Sequence, residues 1–350
     1  MKILFFSDVH WSKNTSIVNS RGEKYSTRLE LLIKSMNWVN ELAVKEDCSS
    51  MICLGDFFDK AQLTDEEIQS LREIKWNKLH TTYLVGNHES SVASLDFSTV
   101  GLFRNKRVDV VSKVKLVELD DCQILYLPYI TEDNRLSLSE YLKDLSVVNK
   151  KLIVCSHNEL KGLNYGSFVS KIGFDIDDIR FNCNLFLNGH LHNGEWITNN
   201  ILNVGSLSAH NFTNDSYKYR YGAWILDTST LQMTFYENPY SLNVYKIEIE
   251  SEKDLSKLDN LKDNIVISIK CKEKFTQDVR DRLSKLNVVA SKLLISHNVV
   301  STDEVTRDIN VSDHLVKFRD FILNREDIDN VDIFKEELME VCKWLLKKDL

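Results

Sequence analysis

The sequence predicts an α/β fold, a sandwich of two β-sheets packed face to face with helices on the outside. Three observations point to it. Short apolar runs recur and many stop at a polar cluster, as strands buried on both faces do. Apolar stripes at helical spacing fall between the early runs. After residue 108 these stripes give way to closely spaced short runs, so the chain holds many strands and few helices.

Taken in chain order, residues 3–6 read as a first strand that runs into Ser7-Asp8-Val9-His10. Residues 27–44 form a helix, with Leu29, Leu32, Ile33, Met36, Val39, Leu42 and Ala43 on one stripe. Residues 51–54 make a strand ending in Gly55-Asp56. Residues 64–79 open on the capping box Thr64-Asp65-Glu66-Glu67 and continue as a helix through Ile68 and Leu71. The strand at 83–85 ends in Gly86-Asn87-His88-Glu89. Residues 108–111, 114–119 and 123–127 read as a meander. The strand at 152–155 ends in Ser156-His157-Asn158, and that at 185–187 in Asn188-Gly189-His190-Leu191-His192. Residues 201–204, 223–226, 233–236 and 244–249 add four more strands. Charge rises around residue 250, which marks a domain boundary. Beyond it, 265–269, a helix opened by Thr276 and 288–295 make a small β-α-β module. Residues 299–311 read as a linker, and about 312–324 and 331–348 as closing helices.

Composition narrows the function. The chain has 350 residues, 43% apolar and 27% charged, enough for about two domains or for one large domain with an appendage. No run approaches the roughly 18–20 apolar residues of a membrane span. The N-terminus reaches Asp8 and His10 too soon for a signal peptide, which places the protein in the cytoplasm. The seven cysteines are scattered without a CxxC pair and read as buried reduced thiols. A net charge of −8 argues against a broad basic surface for nucleic acid, and leaves room for a local groove or for a partner that supplies one.

A single histidine after a strand is usually a hydrogen-bonded loop residue. Here five strand ends carry Asp-x-His, Gly-Asp, Gly-Asn-His, His and Gly-His-x-His. Ligands of α/β sheets gather outside the carboxyl ends of strands, so neighbouring strands would bring these groups to one rim. Imidazole, carboxylate and amide oxygen suit Mn, Fe or Zn. Two such ions need a bridging anion, and Asp56 is the natural one. Gly55, Gly86 and Gly189 let the backbone turn tightly beside them. Side chains at i and i+2 share one side of an extended chain, which would bring His190 and His192 to the same cluster.

SDVH, GDFFD, GNHE, CSHN and NGHLHN, in that order over residues 8–192, resemble the calcineurin-like metallophosphoesterases. The resemblance implies a four-layer sandwich of two mixed sheets flanked by helices. It implies that Asp8, His10, Asp56 and His192 hold one metal, and Asp56, Asn87, His157 and His190 the other. His88 would contact the phosphate and the leaving oxygen. Phe57-Phe58-Asp59-Lys60 follows Gly55-Asp56 where the serine/threonine phosphatases have a Val-Asp-Arg-Gly type sequence. GDFFD instead is similar to the SbcD-type nucleases of double-strand-break repair, a family that includes the bacteriophage recombination endonuclease subunit and the MRN nuclease. The strand at 124–130 and the segment NVGSLSAHNF fit that family, with Leu207 in place of its usual proline and Glu89 in place of its usual aspartate.

The family resemblance implies domains at 1–250 (nuclease), 251–300 (α/β DNA capping) and 301–350 (linker and helices that bind a coiled-coil ATPase). It implies a 3′–5′ exonuclease and single-strand endonuclease of DNA repair, recombination or replication. Two divalent ions, Mn2+ first, with Mg2+, Fe2+ or Zn2+ as alternatives, would activate water. Partners would be DNA and an SbcC-like ATPase, with a homodimer inside a heterotetramer. If the chain is phage-encoded, it would act in the host cytoplasm.

Several residues keep two readings. Asp59 could orient His88 or a metal ligand, or cap a helix. His210 could line the site as a substrate-binding residue. Arg220 and Lys218 could meet DNA phosphates, or lie in a solvated loop. Trp38 and Trp76 could make homodimer contacts, or pack on the sheet. The closing helices could pair with each other or dock in a partner's groove, and their place after a linker favours the partner. His80, His297 and His314 read as structural or surface residues. The competing functions are another phosphoesterase (a phosphomonoesterase or cyclic-nucleotide phosphodiesterase) and a non-catalytic scaffold.

Overall fold

The computed structural model describes residues 1–296 apart from 91–94, 96, 144, 146–149, 166–167 and 212–217. The closing helices expected at about 312–324 and 331–348, the ATPase-binding region 301–350, His297, His314 and Cys342 lie outside the described residues.

The chain begins with β1 (Lys2–Phe6), α1 (Thr27–Lys45), β2 (Ser50–Cys53), α2 (Asp65–Ser70), β3 (His80–Leu84) and β4 (Val108–Val111). Next come β5 (Lys115–Glu118), β6 (Cys122–Leu127), α3 (Leu138–Lys143) and β7 (Lys151–Ser156). Four two-residue strands follow: β8 (Leu160–Lys161), β9 (Asn164–Tyr165), β10 (Phe168–Val169) and β11 (Phe174–Asp175). After them lie α4 (Ile176–Asn182), β12 (Leu185–Asn188), β13 (Glu195–Thr198), β14 (Ile201–Asn203), β15 (Gly222–Asp227), β16 (Gln232–Glu237) and β17 (Asn243–Ile249). The described chain closes with β18 (Ile265–Lys272), α5 (Thr276–Leu283) and β19 (Val288–Ser296).

One six-stranded sheet has the order β16-β15-β1-β2-β3-β4, and a second has β13-β14-β12-β7-β6-β5. β1 to β4 run parallel, as do β14, β12, β7 and β6, while β15 and β16, β13 and β5 add antiparallel strands at three of the four edges. The period-2 alternation of side chains decides which layer each strand residue joins. Ile3, Phe5, Ile52 and Leu54 of the first sheet meet Ile124, Ile153, Cys155, Leu185 and Leu187 of the second. Leu4, Phe6, Met51 and Cys53 face the other way, onto Leu29, Leu32, Met36 and Val39 of α1. Leu125, Val154 and Phe186 face outward onto Leu138 of α3 and Ile179 of α4. The result is four layers, helix-sheet-sheet-helix, with one apolar core between the sheets and one between each sheet and its helices.

Four expectations need correction. The helix expected over 64–79 keeps its capping box, in which Thr64 accepts from the Glu67 amide and Glu67 from the Thr64 amide, but ends at Ser70. Asn37 and Asn40 of α1 accept from the Lys75 and Asn77 amides at 2.7 and 2.9 Å, which draws the chain out of the helix. The meander is divided, because β4 joins β3 in the first sheet while β5 and β6 belong to the second. β17 pairs in parallel with β18, so the boundary read at residue 250 falls after the first strand of the small module. That module is a parallel three-stranded sheet, β17-β18-β19, with α5 packed on one face through Val279. The fourth lies after β12, where the chain bends at His190 (φ 71°) and does not continue extended.

Among the described residues, no helix is long and apolar enough to cross a membrane. Cys48, Cys53, Cys122, Cys155 and Cys271 are buried and free, and Cys183 is half-buried and free.

Leu187 is wholly buried between the sheets. Leu187→Ala is expected to cost about 2–5 kcal/mol in urea unfolding. Val44→Ala, at an exposed position of α1, should stay within about 0.5 kcal/mol of wild type.

Candidate metal centre

The loops after β1 and β2 travel side by side. The amides of Asp8, His10 and Trp11 donate to the carbonyls of Gly55, Asp56 and Phe57 at 3.1, 3.0 and 2.7 Å. This course needs left-handed backbone at Asp8 (φ 49°), His10 (φ 47°) and Asp56 (φ 48°). Non-glycine residues rarely adopt it, and such strain gathers where a site over-determines the chain. Gly55 has φ 107°, and a Cβ there would fall on the His157 ring. At Gly86 the constraint is contact, since a Cβ would strike Asp56. The i, i+2 reading of His190 and His192 fails here. β12 ends at Asn188 and His190 has φ 71°, so the chain is bent and the two rings diverge.

They diverge to two clusters. In the first, His10 Nε2 and His192 Nε2 face each other at 2.9 Å. Asp8 Oδ1 lies 3.8 Å from the former and 3.9 Å from the latter. In the second, Asp56 Oδ2 is 3.1 Å from His157 Nε2. Asn87 Oδ1 lies 3.2 Å from His157 Nε2 and 3.0 Å from His190 Nδ1. Asp56 groups with His157 and His190, and also with His10 and His88, so it stands between the clusters.

The ring orientations follow from what the other nitrogens bind. His10 Nδ1 donates to Asp59 Oδ1 at 3.0 Å, and His157 Nδ1 to the Leu54 carbonyl at 2.7 Å. Each ring therefore turns Nε2 toward its cluster, as metal-binding histidines do. His88 Nδ1 donates to the Asp59 carbonyl at 2.9 Å, leaving Nε2 exposed and 4.0 Å from Asp56 Oδ2. Asp59 thus holds His10 through its carboxylate and His88 through its backbone, while Thr64 caps α2. His210 is brought in: its ring stacks on His10 at 4.4 Å, and its Nε2 lies 3.4 Å from Asp59 Oδ1. Arg220 is not: it is exposed, 5.2 Å over the Phe235 ring and 4.0 Å from Glu237.

Charge in the clusters is strongly biased. Burial alone would raise both Asp8 and Asp56, but the neighbouring histidines outweigh it. They hold Asp8 at about 2 and Asp56 well below the carboxylate range. Burial would lower His10 and His157, but Asp59 and Asp8 lift the first to about 10, and Asp56 lifts the second to about 9. Burial, then the nearby His157 or His10 charge, pushes His190 and His192 each down to about 4. Burial, with His10 and Arg28 beside it, takes His210 to about 2.

The donors fit divalent cations. Asp8 Oδ1 is buried with no hydrogen-bond partner, beside two imidazole nitrogens. Carboxylate, imidazole and amide oxygen are the hard-to-borderline set that such ions take. No sulfur is in the groups.

Sequence reasoning gave no structural role to two residues. Glu89 is wholly buried and accepts from the Phe58 amide at 3.1 Å and the Gly86 amide at 2.9 Å, joining the loops after β2 and β3. Burial and the Asp56 charge push its carboxyl up to about 8, against the pull of the two amides. Its place in GNHE was the only signal. Arg28, wholly buried on α1, gave no signal, because the helical stripe reads it as a solvated flank.

The profile of the calcineurin-like phosphoesterases matches residues 1–194. Exonuclease subunit 1 of Enterobacteria phage T4 is 23% identical over 337 residues, covering 87% of this chain and 94% of that protein. Among solved structures, a Thermus thermophilus protein aligns at 14% identity over 67% of this chain and 98% of its own, with a TM-score of 0.40. The Pseudomonas putida nuclease MPE aligns at 14% identity over 66% of this chain and 87% of its own, with a TM-score of 0.27.

At pH 7 His10 and His157, raised to about 10 and about 9, both carry protons. Each must lose one to offer a lone pair to a cation. Adding Mn2+ to the cation-free chain at pH 7 should therefore release protons, with affinity rising toward pH 9. Calorimetry in buffers of different ionisation heat counts them, and binding with no release would contradict the assignment of these two ligands. Separately, Glu89→Ala strands two buried amides. It should lower stability by about 2–3 kcal/mol in urea unfolding.

Proposed function

The chain belongs to the calcineurin-like phosphoesterase family, and from that premise we propose that it is a metal-dependent DNA nuclease, the nuclease subunit of a complex with an SbcC-like ATPase. The observation that carries the reading is the pair of donor clusters sharing Asp56, with the exposed His88 beside them. DNA is favoured over a small phosphoester by the likeness to a phage exonuclease subunit along nearly the whole of both chains. The Phe57-Phe58-Asp59-Lys60 stretch, which lacks the phosphatase-type arginine, favours it too. Glu89, the departure from the nuclease pattern, does not count against it, because its carboxylate is spent on two backbone amides.

In this reading Asp8, His10, Asp56 and His192 hold one divalent cation, Mn2+ first, and Asp56, Asn87, His157 and His190 the other. Bound there, the cations supply Lewis acidity that polarises phosphoryl oxygens and makes water a competent nucleophile near neutral pH. Hydrolysis forms a bond from a water oxygen to phosphorus and breaks the bond to a sugar oxygen. His88, anchored through Nδ1, presents Nε2 to the substrate. When protonated, it donates to the phosphoryl or departing oxygen, a role worth about 10²–10⁴-fold. Asp59 positions His88 and His10 together, and His210 stacks on His10 beside His192, where it would line the substrate site. Arg220 belongs to a separate basic stretch with Lys218 and Lys262, where it would meet the DNA backbone away from the reacting phosphate.

The same reading gives 3′–5′ exonuclease and single-strand endonuclease activity in repair, recombination or replication. A net charge of −8 leaves much of the DNA grip to the partner, bound through residues 301–350. The β17-β18-β19 module would cap the DNA. A homodimer would use the surface around Trp76 and Leu102, both exposed, whereas Trp38 packs half-buried against the core.

One assay series tests this. Linear double-stranded DNA should be degraded with Mn2+, and a phosphomonoester should not. His88→Ala should keep Mn2+ binding and lose at least about 10²-fold in nuclease rate. Asp56→Ala should lose both. Phosphomonoester turnover without DNA cleavage would overturn the nuclease reading, and full activity of His88→Ala would overturn the role of that residue.

A further inference from the structure

Arg28, the second residue of α1, is 1% exposed, yet among the described residues it is in no ion pair. A buried guanidinium is costly unless its N–H groups are used. Its Nη1 donates to the Ala209 carbonyl at 2.9 Å, and its Nη2 to the Val9 carbonyl at 3.3 Å. Val9 lies between two candidate ligands, Asp8 and His10, and Ala209 directly precedes His210. Nη2 also faces His210 Nδ1 at 3.4 Å.

Donor chemistry makes that last contact informative. A guanidinium has N–H groups and no acceptor. The His210 nitrogen that faces it must therefore be the bare one, which leaves the proton on Nε2. That nitrogen lies 3.4 Å from Asp59 Oδ1, the same oxygen that accepts from His10 Nδ1 at 3.0 Å. Asp59 Oδ1 thus accepts a hydrogen bond from His10 and has the His210 Nε2–H turned toward it at ion-pair distance. This one oxygen lies at the edges of the two stacked rings, and the His10 ring can turn only by breaking its hydrogen bond and that stack.

We propose that Arg28 is a positioning residue of the metal centre: it fixes His210 as the Nε2–H tautomer, so that an N–H and not a lone pair faces the Asp59 oxygen that orients His10, and His10 Nε2 stays aimed at Asp8 and His192. The same side chain clamps the strained turn at Val9 to the loop that carries His210. The inference rests on the metal-centre reading and is independent of the substrate.

The test uses the full-length, cation-free chain labelled with 15N-histidine. A long-range 1H–15N spectrum at pH 7.5, with the His210 signal identified by its loss in His210→Gln, should show Nδ1 bare and Nε2 protonated. Arg28→Met should lose that tautomer preference and weaken Mn2+ binding by about tenfold, the usual scale for outer partners of metal ligands. Arg28→Lys, which keeps the charge but not the fork, should recover only part of the affinity. The double variant Arg28→Met/His210→Gln should lose no more affinity than Arg28→Met alone, because the two act in series. A proton on His210 Nδ1 in the wild type overturns the proposal, even if Arg28→Met fails to fold. So do additive losses, or a folded Arg28→Met that keeps both tautomer and affinity. No readout involves DNA, so failure here leaves the nuclease reading standing.

Discussion

Asp8 and Asp56 are almost entirely withdrawn from water, at the seam between two sheets. Ionised carboxylates survive there only if opposite charge and N–H donors surround them. The chain supplies both. The His190 amide donates to Asp8 and the His88 amide to Asp56, at 3.1 and 3.0 Å. His10 and His157 add protonated imidazoles. One oxygen, Asp8 Oδ1, still lacks a partner. Two acids short of one partner, flanked by imidazoles that carry replaceable protons, describe a place that could hold a divalent cation.

That requirement explains where the backbone is strained. Asp8, His10, Asp56 and His190, four of the expected ligands, have positive φ. Such conformations persist only where the surroundings insist on them. Here the loops after β1 and β2 are bonded together amide to carbonyl, Glu89 ties the loops after β2 and β3, and Arg28 ties β1's loop to the segment before His210. The clamps come from buried polar groups, set among core residues such as Val9, Trp11 and Phe57 that flank the ligands.

The sheets divide the work. Asp8, His10, Asp56, Asn87 and His88 follow strands of the first sheet, and His157, His190 and His192 follow strands of the second. Each donor cluster draws on both, since His10 meets His192 and Asp56 meets His157. Cations shared between the clusters would therefore also hold the sheets together at this edge, so that packing and chemistry depend on each other.

Much of this was legible in the sequence. Apolar runs ending in Asp, Asn or His announce buried strands whose carboxyl ends share a rim, because hydrophobic periodicity and ligand type are local properties. The stripe of α1, the capping box at Thr64 and the small β-α-β module were readable for the same reason. Long-range pairing was not. Nothing local says that β4 and β5 part into different sheets, or that β17 leaves its neighbours for β18, since strand partners are chosen by burial across the whole chain. Asn37 and Asn40 stop a helix from another helix, and no helix propensity reveals that. The divergence of His190 and His192 depends on one left-handed residue. Arg28 is the clearest case: by itself it is a charged residue near a helix start, and only the tertiary fold removes its water and sets His210 against it. The sequence alone determined which residue types stand at the strand ends; the tertiary structure decided which nitrogen of each ring faces its cluster, because that depends on donors delivered from far along the chain.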